Sequence, residues 1–140
     1  MSAMSDYLEQ KLLDYLMNGV AFSTPQKWIA LYTAAPGEAG GGTEVSGGSY
    51  ARQRVYDNGG GTPDWSLATT EGGGGYVVDN SDDITYPTAS APWGTVTDVA
   101  ILDAVSAGNF LLYGSLATPK PVGTSDVFKF QAGSLDAIFR

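Results

Sequence analysis

Residues 94–103 read GTVTDVAILD, residues 109–116 read NFLLYGSL, and the turn SAGN at 106–109 joins them. This pairing decides the fold. Branched aliphatic residues crowd the first stretch, and such residues suit a pleated, buried surface. Val99 and Ile101 mark one face, Ala100 and Leu102 the other, so the centre of this strand is expected to be buried on both sides. A second apolar run after a tight turn makes the pair a β-hairpin.

The same reading extends outward in both directions. Residues 27–33 (KWIALYT) are dense in strand formers and end at Ala35-Pro36-Gly37. Residues 49–56 (SYARQRVY) alternate, with Tyr50, Arg52 and Arg54 on one side and Ala51, Gln53 and Val55 on the other. Residues 76–87 (YVVDNSDDITYP) hold two short strands, or one broken at Asn80 and Ser81. Pro119 and Pro121 read as bracketing a linker. Residues 126–131 (DVFKFQ) point Phe128 and Phe130 inward, and 135–139 (LDAIF) close the last edge. The least regular stretch is 57–75, a long loop that opens and closes on glycine runs. It is an expected site of contact or mobility, with 64–70 forming a short strand or a hairpin tip.

The N-terminal segment has a different period. Ser5 is a plausible N-cap, Asp6 and Glu9 lie where a helix dipole favours acids, and Asn18-Gly19 is a stop signal. Leu8, Leu12, Tyr15 and Leu16 form one apolar face, and Leu13 and Met17 widen it. The spacing predicts a helix over 5–18. Its face packs on its own domain or docks on a neighbouring subunit.

The chain therefore reads as a single domain over 1–140. One helix precedes an all-β, antiparallel β-sandwich of jelly-roll type over 24–140. Helices for parallel crossovers are absent, and no repeat of fixed period marks a propeller or β-helix.

Composition limits the chemistry. The 140 residues include 19 Gly, no Cys and no His, with 7 basic and 15 acidic residues and a net charge of −8. Missing Cys removes disulfides and thiolate metal sites. Missing His removes the common catalytic triads and the HExxH site. No SxxK dyad and no phosphate-binding glycine motif occur. No enzymatic activity and no cofactor are expected. The acidic balance disfavours nucleic acid, because phosphate contacts need Lys and Arg. No apolar run approaches a membrane span, and MSAMSDYLEQ at 1–10 lacks the pattern of a signal peptide.

Three features are weighed as sites. Asp79, Asp82 and Asp83 supply hard oxygen ligands within one short turn, but without the spacing of a calcium loop. A solvated turn is the plainer reading, and no metal is assigned. Trp65 lies between glycine runs, where it either contacts a sugar or anchors its loop. Arg52 is placed to pair with Glu44, as a loop-fixing bridge or as a bridge between subunits.

Two strings carry more than composition does: EVSGGSYARQ at 44–53 and WGTVTDVAILDAVSAGNFLLYGSLATP at 93–119. With the helix before them, they closely resemble a family of small tailed-bacteriophage virion proteins, called tail fibre proteins or capsid decoration (cement) proteins. The resemblance runs from residue 5 to about 134 and departs most at 57–75. It implies a virion structural role, on the capsid exterior or the tail, after synthesis in the host bacterial cytoplasm. The leading expectation is a cement protein that binds the major capsid protein as a homo-oligomer, a trimer, and reinforces capsomer junctions. The alternatives are a tail or baseplate component and a receptor- or glycan-binding module. The candidate contacts are Leu8, Leu12, Leu16, Arg52 and Trp65.

Overall fold

A computed structural model describes residues 3–140. Strand β1 (Ala3–Met4) leads into helix α1 (Asp6–Asn18). Then come β2 (Lys27–Ala34), β3 (Thr43–Glu44), β4 (Gln53–Val55), β5 (Thr69–Thr70), β6 (Tyr76–Asp79) and β7 (Ile84–Thr85). The hairpin β8 (Gly94–Leu102) and β9 (Phe110–Val122) follows, with β10 (Lys129–Phe130) and β11 (Asp136–Phe139) last. The protein is mostly β, sandwich-like, and every strand pairing is antiparallel. No helix among the described residues is long and apolar enough to cross a membrane.

The main sheet runs β1-β9-β8-β2, and the far edge of β2 is shared by β3 and β4. The facing layer is split into a two-stranded sheet, β10-β7, and a three-stranded sheet, β11-β6-β5. One core fills the space between. Ile29, Leu31, Val99 and Ile101 meet Ile84, Phe128, Phe130 and Leu135 there. On the opposite face, Ala30, Tyr32, Ala100 and Leu102 form a second buried cluster with Phe110 and Tyr113 packed on it. The expected two-sided burial of β8 is therefore observed. It follows from an unbroken apolar run, which leaves no polar side chain to face water.

Pro119 and Pro121 lie within β9, not in a linker. The outer edge of β9 pairs with β1 only at Leu112 and Tyr113. Past that point, a missing proline N–H on the unpaired side costs no ladder bond. The pairing also slips here: Val96 faces Lys120 while Asp98 faces Ser115, so residues 116–119 lie opposite Thr97 alone.

The stretch at 49–56 is a strand only over Gln53–Val55. Ser49 has φ of 65°, and Tyr50 reaches the main sheet through its side chain: its hydroxyl accepts the Leu31 N–H at 3.0 Å. A side chain thus takes the place of a strand neighbour.

The ends of α1 follow the sequence signals. Ser5 Oγ accepts the Leu8 N–H at 3.2 Å and donates to the Phe110 carbonyl. Gly19 closes the helix in the left-handed conformation. The Ser5 N–H donates to the Leu111 carbonyl at 3.0 Å, which ties the helix start to β9.

Candidate functional site

Helix α1 presents two apolar lines, and only one belongs to the core. Leu8 is buried, and Tyr7 and Leu12 pack partly against the core. Leu16 is 72% exposed. The expected single stripe through Leu8, Leu12 and Leu16 is therefore divided. Each step of four residues turns a helix by about 40°, so eight residues carry the side chain roughly 80° off the contact line. Outside the core lies the line Leu13, Leu16, Met17 and Val20, each at least half exposed. Leu13, Leu16 and Met17 are spaced i, i+3, i+4 on one helical face, and Val20 follows just past the Gly19 cap. That spacing was present in the sequence, but it merged with the inner line.

Beside α1 runs an apolar groove of about 380 Å³. Leu8, Phe22, Trp65, Val78, Leu111 and Phe139 line it. Its walls therefore come from the helix, the segment after it, the main sheet and the three-stranded sheet. Tyr76 and Phe139 reach the surface from this wall and are partly exposed.

Trp65 lies inside the fold, 6% exposed and part of the main core. It does not offer the exposed face that sugar stacking requires. It anchors its loop instead. Its N–H donates to the Tyr56 carbonyl at 3.1 Å, and its carbonyl accepts from Asn58 Nδ2 at 2.9 Å. Ser66 then donates to the Asp79 carbonyl at 2.8 Å. The loop at 57–75 is thus tied along its middle and holds β5. At its end, Gly75 has φ of 94°, and a Cβ there would lie 2.2 Å from the Phe139 carbonyl oxygen. Glycine is required for that close approach to β11.

Arg52 and Glu44 meet, as their spacing allowed. The Arg52 side chain is 7% exposed. Its Nε and Nη2 donate to the two Glu44 oxygens, and Nη1 donates to the carbonyls of Ala104 and Ala107, all at 2.8 Å. The Tyr50 hydroxyl donates to Glu44 Oε1 at 3.0 Å. The Glu44 hydrogen bond and charge raise the Arg52 pKa further, against the effect of burial. Burial raises the Tyr50 pKa strongly, and burial with the Glu44 charge pushes Tyr32 up to about 12. The hydroxyls stay protonated and the Arg52 guanidinium stays charged across the physiological range. The network joins β3, β4 and the β8–β9 turn within one subunit.

The acidic cluster diverges. Asp79 lies opposite Asp136 on the adjacent strand, and burial together with that neighbour raises its pKa. Asp82 accepts the Asp64 N–H at 3.4 Å. Asp83 accepts from Lys129 Nζ at 3.1 Å and from the Ala132 N–H at 2.9 Å. Among the described residues, no group of three or more acidic side chains is placed to hold a metal ion.

The exposed apolar line of α1 and the apolar groove beside it are the main apolar features at the surface among the described residues. A family model described as "Podophage GP4 fiber I protein gp80" matches residues 3–138. No curated protein matches the chain. The match covers both signature strings, the hairpin and the helix, so the chain belongs to the Gp80 family of podophage fibre I proteins, a phage virion structural family.

Proposed function

We propose that this protein is a non-enzymatic fibre component of a podophage virion that joins neighbouring subunits through the outer face of α1. The observation that carries this reading is the exposed line Leu13, Leu16 and Met17 on α1, continued by Val20 just past the Gly19 cap. Single exposed apolar residues are ordinary, but a contiguous line beside an apolar groove marks a contact surface. The family description, a podophage fibre, favours the tail side of the virion over the capsid exterior. The first occupant of the face is a second copy of the chain, in a closed homotrimer. A symmetric oligomer then grips the virion at several equivalent points, which raises avidity without new contacts.

Capsid cement is the second reading. It is supported by the lack, within these residues, of the repetitive sequence that a long fibre shaft needs. Its partner is the major capsid protein.

Sedimentation of purified protein tests the α1 contact. The wild-type chain should sediment as an oligomer, and the double variant L16D/M17D as a folded monomer. A wild-type monomer, or an unchanged oligomer in the variant, would remove α1 from the contact.

A further inference from the structure

Arg54 differs from the paired cations of this protein. Lys27, Arg52, Lys129 and Arg140 each hold a carboxylate. Among the described residues Arg54 forms no ion pair, and its buried Nε has no hydrogen-bond partner. Its guanidinium instead stacks on Tyr56, 4.3 Å from the ring centre. Arg54 lines a polar cleft of about 170 Å³ with Thr24, Gln26, Lys27, Asp57 and Gly60. Lys27 pairs with Asp57 inside it and also donates to the Pro25 carbonyl at 3.0 Å. Two cations and one carboxylate thus line the cleft, in a chain whose net charge is −8.

We propose that this cleft binds a carboxylate carried on a single sugar ring, a ligand of the uronic acid class. A guanidinium held flat by stacking presents a planar donor fork, and that fork matches a carboxylate. The Tyr56 contact holds the side chain before any ligand arrives, which reduces the entropy lost on binding. Thr24 offers a hydroxyl. Gln26 accepts from Trp28 Nε1 at 3.1 Å through its oxygen, which leaves its amino group to donate. These neutral groups suit ring hydroxyls, whereas an acidic side chain of a protein partner would use Arg54 alone. The cleft is well below the roughly 300–1,000 Å³ of drug-sized pockets, which limits it to one small ring. The cleft shares no lining residue with Leu13, Leu16, Met17 and Val20, and the proposal does not rest on how that line is occupied.

Amide chemical-shift titration of the full ¹⁵N-labelled chain tests this, with D-glucuronate, D-glucose and acetate as probes. Glucuronate should give saturable shifts at 24–27 and 54–60, and glucose none. Acetate should bind at least about tenfold more weakly because it lacks the ring contacts, and so should glucuronate to Arg54→Gln because the charged hydrogen bond is lost. Arg54→Lys keeps the charge without the fork, and it should weaken glucuronate binding while leaving distant resonances in place. Three results would overturn the proposal: no saturable shifts with glucuronate, equal affinity for acetate, or unchanged binding in both Arg54 variants.

Discussion

Arg52 holds both oxygens of Glu44 at 2.8 Å and, from its remaining nitrogen, bonds the carbonyls of Ala104 and Ala107. One guanidinium therefore ties the glycine-rich turn after β3 to the turn of the β8–β9 hairpin. Two parallel bonds to one carboxylate add geometric specificity that a lysine cannot reproduce. Arg52→Ala should destabilise the fold by about 2 kcal/mol, between the values for an exposed and a buried pair, since the Glu44 side chain is partly exposed. Arg52→Lys should recover only part of that. The urea midpoints of the two variants check it.

Gly48 lies beneath Trp93. Its φ is 54°, its carbonyl accepts from Trp93 Nε1 at 2.9 Å, and a Cβ would lie 2.7 Å from the Ala91 carbonyl oxygen. The left-handed conformation alone costs a non-glycine residue roughly 1–2 kcal/mol, and displaced packing adds to it. Gly48→Ala should lower the melting temperature and shift the tryptophan emission toward the red. Gly47→Ala meets no atom within 4 Å and lacks the packing part of the cost.

Trp65 gives a stability effect and no direct ligand effect. Truncating a buried aromatic costs about 3–5 kcal/mol. Trp65→Ala should lower the unfolding free energy by that amount, as measured in denaturant. Trp65→Phe keeps most of the buried ring and removes the unpartnered indole N–H. It should cost less than half as much.

Asp79 and Asp136 face each other across β6 and β11. Desolvation, then the hydrogen bond with Asp136 and its charge, raises the Asp79 pKa above the ordinary value. The folded state therefore keeps this proton to higher pH than the unfolded chain does. Its contribution is fully present below the ordinary Asp value and is lost as pH rises through the raised one. Asp136→Asn removes the like charge. It should stabilise the protein near neutrality by about 0.2–1 kcal/mol, and that gain should vanish in acid, below the ordinary Asp range. Melting temperatures of both proteins across acid to neutral pH check the sign.

The legible parts of this fold were those in which local chemistry and tertiary demand agree. Ser5 and Gly19 bound the helix as their residue types require, and the run at 94–102 became the two-sided central strand. Other features depended on distant partners. The strand expected at 49–56 shortened because the Tyr50 hydroxyl, not a backbone group, reaches Leu31. Pro119 and Pro121 stay in β9 because that edge lacks a neighbour, which sequence order does not reveal. At the contact surface, helical spacing located the apolar residues. It did not say which line faces inward, because that depends on where the sheet touches α1. Trp65 stayed open between contact and anchoring for the same reason: flanking glycines mark a loop, and the packing of its middle is decided by β6 and the core.

As proposed above, the chain is a virion fibre component joined by the outer face of α1. Counting it against the major capsid protein in purified virions, with its position imaged in the same particles, tests that claim most directly. A small number of copies clustered at the tail vertex is expected, lost from particles that carry L16D/M17D. One copy or more per capsomer, spread over the capsid surface, would contradict it.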